Sequence, residues 1–213
     1  MDIDKFLNKH WFMYHRFENE FLKIDNTIPI DLENFETFSY AYIRILASIC
    51  AEFNECFKNF SKFNGHDYNS INQYKQFIID DFPDFFTSEI TFNKIGCDSI
   101  TLYPFKYWDS EDKINWWEIN NNLKHNRNEL INGEEIYKCA NQINILNALS
   151  GLFQLDMYFY KDIIENSSND NEFYFPMPQS KIFYLENWGN YKQYLISSNV
   201  AFSLGDDGNI YIG

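Results

Sequence analysis

Positive charge is scarce in this chain: 17 Lys and Arg stand against 31 Asp and Glu, a formal net charge of −14. That excludes a general, sequence-independent grip on nucleic acid, general DNA binding included, because such binding needs a basic surface. A local basic patch remains compatible with it. Long apolar runs are missing too. No 18 consecutive residues are apolar, so no membrane-spanning helix is expected and no membrane partner. The opening stretch, MDIDKFLNKH, is acidic and amphipathic and lacks the basic start and apolar run of a secretory signal. Cysteine is limited to Cys50, Cys56, Cys97 and Cys139, with no CxxC pair and no finger-like Cys/His spacing. This argues against zinc and for free thiols in a reducing cytoplasm. No P-loop, G-x-G-x-x-G or G-x-S-x-G motif occurs, and no cofactor is expected. His10, His15 and Glu18 share a predicted helix, but the two histidines are five residues apart and do not align as a metal pair.

What the chain does have is apolar mass. Hydrophobic residues make up 45% of its 213 residues and aromatics 20%, with 22 Phe and 15 Tyr, so one folded domain with a large core is expected. Apolar spacing predicts a helix over 3–24, a break at 25–35 around Pro29, and a long helix over 36–61. The stripe on the long helix runs Phe38, Tyr42, Ile45, Leu46, Ile49, Phe53, Cys56, Phe57 and Phe60. Ser70 is placed to cap a short helix through Asp80, stopped by Pro83. Residues 88–105 turn β-like, with two short strands around a Gly96–Ser99 turn. Helices are expected again over 113–131, with Gly133 at the end, and over 134–164. A loop at 166–180, a weak strand at 181–185 and a hairpin at Asp207–Gly208 complete the chain. The fold class is therefore mainly α: an antiparallel helical bundle over 1–165 with a β insertion at about 88–105, and a β-rich tail over 166–213 packed on the bundle.

The most distinctive segment is Trp116-Trp117-Glu118-Ile119-Asn120-Asn121-Asn122-Leu123-Lys124-His125-Asn126-Arg127. It resembles the HEPN superfamily (higher eukaryotes and prokaryotes nucleotide-binding), and within it a bacterial group of unknown function with a WW-x-x-Y-N-x-x-K-H-x-R pattern. Phe38-Ser39, the stretch Ser48 to Phe53 followed by Lys58, Tyr103 to Trp108, and Ala140-Asn141 through Leu152-Phe153 extend the resemblance over about residues 10–160.

The resemblance implies a helical bundle, a homodimer and, in many members, metal-independent cleavage of RNA in stress or phage defence, including toxin–antitoxin systems. Catalysis there uses an R-x4-6-H motif and leaves 2′,3′-cyclic phosphate ends. His125 is then the candidate acid/base, Lys124 and Arg127 supply positive charge, and Asn121 orients the substrate. The match departs at one place: the motif Arg falls on Asn120, and a neutral amide cannot replace a guanidinium against a phosphorane. On an ideal helix Arg127 lies about 40° from the apolar face and His125 about 160° from it, so the two do not share one surface. Other family members are non-catalytic modules that bind a partner protein, and the absence of the motif Arg at Asn120 and the −14 charge favour that alternative. Residue by residue, simpler readings stand beside these. His125 and Lys124 are also read as solvated, Arg127 as paired with a carboxylate such as Glu52, Trp116 as core, and Trp117 as packing or as a base-stacking surface.

Overall fold

The apolar stripe from Tyr42 to Phe60 is buried on one side of helix α3 (Tyr40–Phe63), and this sets the position of most other elements. The computed structural model describes residues 1–93, 97, 100–110, 113–126, 130–131, 133–167, 175–186, 188, 194–197, 200–204 and 210–212. α3 begins where Ser39 turns extended and its side chain accepts a hydrogen bond from the Tyr42 N–H. The same device opens α1 (Ile3–Phe6) at Asp2, α4 (Ile71–Asp81) at Ser70 and α6 (Gln142–Glu165) at Asn141. Each such cap contributes about 1 kcal/mol by satisfying an orphan N–H. α6 is apolar nearly all round and is buried nearly all round, so it is the central helix. α1, α2 (Phe12–Asp25), α3 and α5 (Asn115–His125) pack around it.

α1 and α2 form one continuous run joined by a π-helical turn, Leu7–Trp11. The wider turn shifts the phase of the helix, and both His10 and Trp11 are buried there. α2 and α3 are antiparallel, as Lys9 to Glu55 at 3.0 Å, His10 to Glu52 at 2.6 Å and Arg44 to Glu20 at 2.7 Å show.

A three-stranded antiparallel sheet covers one part of the bundle. Its order is β2 (Thr101–Leu102), β1 (Ile90–Phe92), β5 (Phe183–Leu185), with Ile90 opposite both Leu102 and Leu185 and Phe92 opposite Phe183. Ile90, Phe92, Leu102, Phe183 and Leu185 face the core, and Thr91 and Tyr184 alternate outward. The two strands expected over 88–105 and the weak strand expected near 181–185 are thus present, joined in one sheet. The Gly96–Ser99 turn lies outside the described residues apart from Cys97. Farther on, β6 (Tyr194–Ser197), β7 (Val200–Leu204) and β8 (Ile210–Ile212) form an antiparallel meander. The hairpin expected at Asp207–Gly208 lies outside the described residues.

Two expectations are corrected. The helix expected over 113–131 ends at His125, because Asn126 leaves helical geometry (φ −134°, ψ 39°). Asparagines close this end: the Asn126 N–H donates to the Asn122 carbonyl at 2.7 Å, its Nδ2 donates to Asn122 Oδ1, and Asn122 Nδ2 donates to the Glu118 carbonyl. The helix expected over 134–164 starts at Gln142. Before it, β3 (Leu130–Ile131) and β4 (Glu134–Glu135) make a hairpin with Ile131 opposite Glu134, followed by a 3-10 turn at Ile136–Cys139. Gly133, expected at a helix end, stands between these two strands at φ +86°. Asn132-Gly133 is a strong tight-hairpin signal in the sequence.

α5 and α6 approach closely at Gly151. A methyl group there would meet Trp116 Cζ2 at 3.0 Å and Phe105 Cζ at 3.3 Å. The Trp116 ring is held in place, since its Nε1 donates to the Pro104 carbonyl at 3.1 Å and it packs edge-to-face with Phe53 at 4.9 Å. Gly151→Ala is therefore expected to lower stability by about 1–2 kcal/mol, despite the ~1 kcal/mol gain in helix propensity, in a urea melt.

Candidate functional site

α5 carries the segment with the most distinctive chemistry, and its two sides have different jobs. Trp116, Ile119 and Leu123 are buried and fasten the helix to α3 and α6. The Trp116 ring meets Phe53 edge-on at 4.9 Å, and Trp117, half-buried, packs at 5.7 Å from the same ring. Trp116 is core as expected, and Trp117 is spent largely on packing. The opposite side is open. Asn121 is half-buried, while Lys124 and His125 are exposed. On an ideal helix Asn121 lies about 40° from His125 and about 60° from Lys124, so the three form one polar face.

Among the described residues, neither Lys124 nor His125 has a carboxylate or hydrogen-bond partner. Both sit in the last turn, where positive charge offsets the negative end of the helix dipole by about 0.3–1 kcal/mol. Lys124 also stands over α3. Burial pushes the Cys50 thiol far up, and the Lys124 charge offsets part of that push. Asn120, where the resemblance would put the motif Arg, points inward: it is 1% exposed, and among the described residues its buried Nδ2 has no partner. A guanidinium at this position would be inside the core. Among the described residues of the α5 face, positive charge therefore comes from Lys124. Arg127 lies outside the described residues.

Glu52, named above as a partner for Arg127, is engaged elsewhere: its Oε1 lies 2.6 Å from His10 Nδ1, with His10 fully buried. One turn along α3, the Cys56 thiol donates to Asp156 Oδ1 at 3.1 Å. Among the described residues, His10 Nε2 and Asp156 Oδ2 are both buried without partners. This buried cluster was not legible from the sequence. Its partners are far apart along the chain, and the π turn that brings His10 inward breaks the helical spacing. His15, on α2, lies between Glu18 (Nδ1 to Oε2 3.0 Å) and the Pro178 carbonyl (Nε2 to O 2.8 Å). The two histidines of the first helical run thus serve different partners. No group of three or more His, Cys, Asp or Glu among the described residues is placed to hold a metal ion. No described helix is long and apolar enough to cross a membrane.

No protein-family model, no curated protein and no solved structure matches this chain.

Proposed function

We propose that this protein is a cytoplasmic, homodimeric, HEPN-like endoribonuclease that cuts RNA without a metal in bacterial stress or phage defence. The observation that carries the reading is the open face of α5, where His125, exposed and without a partner among the described residues, lies beside Lys124 and one turn from Asn121. In that role the neutral His125 imidazole takes the proton of an RNA 2′-hydroxyl. The 2′-oxygen attacks the adjacent phosphorus, the bond to the 5′-oxygen breaks, and water supplies the proton that oxygen takes up. The Lys124 ammonium offsets the charge that builds on the phosphorane, and the Asn121 amide orients the phosphate. The product strand carries a 2′,3′-cyclic phosphate.

The test is purified protein with total RNA and a defined transfer RNA in EDTA. Cleavage is expected to persist in EDTA, to leave cyclic phosphate ends, and to fall at least about 100-fold in His125→Ala. Cleavage that is equal in the variant removes His125 from the chemistry. No cleavage by the folded chain favours a second reading, a non-catalytic HEPN-like adaptor for a partner protein. That reading draws on a specific observation, the inward-facing Asn120 where the catalytic Arg would stand.

A further inference from the structure

On the flank of α3 opposite its α5 contacts, α2 and α3 enclose an open groove of about 790 Å³. Its charges run against the rest of the molecule. Three cations, Arg16, Lys23 and Arg44, line it with two acids, Glu20 and Glu52, in a chain of net charge −14. Both acids are committed: Glu20 accepts from Arg44 at 2.7 Å and Glu52 is held by His10 at 2.6 Å. Arg16 and Lys23 are exposed, and among the described residues neither has an ion-pair or hydrogen-bond partner. Uncommitted cations gathered in a groove of an acidic protein form a local positive site, and that is where an anionic partner is steered.

Spacing and shape narrow the occupant. Arg16 and Lys23 are two turns apart on one side of α2, about 10.5 Å along its axis. Between the helices the walls are apolar or small: Met13 and Phe17 from α2, Ser48 and Ala51 from α3. Two helices with small side chains between them can receive a third helix. A partner helix with carboxylates at i and i+7 matches the Arg16–Lys23 rise, and its apolar residues then lie toward the half-buried Met13 and the exposed Ala51. A phosphate backbone is the poorer fit. It carries only negative charge and would run past Glu20 and Glu52, whereas a peptide can set its acids on the cations and neutral or basic residues beside those glutamates.

We infer that the α2–α3 groove is a docking site for an amphipathic helix of a partner protein bearing acidic residues two turns apart. It is independent of the RNA reading, since it uses none of the α5 residues.

The test uses the full chain and a fluorescein-labelled amphipathic peptide with glutamates at i and i+7, read by anisotropy. A control peptide has glutamine at both positions. The glutamate peptide is expected to bind, to weaken as salt rises, and to lose at least about tenfold in affinity in the Arg16→Glu/Lys23→Glu double variant. The glutamine peptide is expected not to bind. Lys58→Glu/Lys62→Glu, an equal change of charge at exposed positions elsewhere on α3, is expected to bind as the parent does. A thermal melt of each variant establishes that it is folded. The inference is overturned by absence of peptide binding, by equal loss in both double variants, or by no loss in the groove variant. It is also overturned if labelled oligouridylate binds in the peptide's place and loses affinity in the groove variant, which would make the groove an RNA surface.

Discussion

Glu18→Ala is expected to cost about 3–5 kcal/mol of stability, because it leaves a set of buried donors without an acceptor. Glu18 is fully buried on α2. Its Oε1 accepts from Tyr14 Oη at 3.1 Å, Ser180 Oγ at 2.6 Å, the Lys181 N–H at 2.7 Å and the Ile182 N–H at 3.2 Å. Its Oε2 faces His15. One carboxylate thus fastens the segment leading into β5 to the first helical run, assisted by Trp11 Nε1 donating to the Pro178 carbonyl at 2.8 Å. Burial pushes the Glu18 carboxyl up, but the hydrogen bonds from His15 and Ser180, the His15 charge and the Lys181 amide together outweigh it and hold the group below its ordinary value. A depressed carboxylate stabilises the fold above its unfolded-state pKa, and that stability is lost as pH falls through the folded value. The parent chain is therefore expected to weaken below about pH 4.5, and Glu18→Gln, which keeps an acceptor but no charge, to show a smaller acid dependence. Urea melts across pH measure both. Limited proteolysis of Glu18→Ala is expected to cut between residues 178 and 182, where the lost hydrogen bonds lie, before the helices. Unchanged melting of Glu18→Ala would mean that the segment is held by apolar packing alone.

Asp156→Asn is expected to act in the opposite direction and to stabilise the protein at neutral pH by about 1–3 kcal/mol. Asp156 is fully buried in α6. Burial pushes its carboxyl well above the ordinary range; the Cys56 thiol bond lowers it somewhat, and the nearby Glu52 charge raises it further. The folded chain therefore retains a proton that the unfolded chain releases near pH 4. Stability falls as pH rises from that unfolded value toward the folded one. Asparagine matches the shape of the neutral acid and still offers Cys56 an acceptor. The variant is expected to melt higher than the parent at pH 8 and to approach it near pH 4. A variant that melts lower at both pH values would show that the site holds an ionised carboxylate.

Much of the helical frame can be read from local signals. The α3 stripe needs only the 3.6-residue period, and Ser70 with Pro83 brackets α4 as expected. The polar face of Asn121, Lys124 and His125 follows from the same period, because the Trp116, Ile119 and Leu123 positions fix which side of α5 is inside. The errors arise where apolar residues continue while the backbone changes state. Leu130, Ile131 and Ile136 prolong the helical pattern across a hairpin that Asn132-Gly133 announces. Pairings at long range leave no local mark. Nothing near His10 names Glu52, 42 residues on, and nothing near Ile90 names Leu185.

That last pairing bears on how the protein is made. β1 is the middle strand of its sheet, yet one of its two neighbours is encoded about ninety residues later, since Phe92 pairs with Phe183. A ribosome adding 5–20 residues per second needs on the order of ten seconds to supply that neighbour. Throughout this interval Ile90 to Phe92 is an open edge with free N–H and C=O groups and two core-type side chains, a template for pairing with another nascent chain. Whatever shields this edge during synthesis governs how much of the chain escapes aggregation.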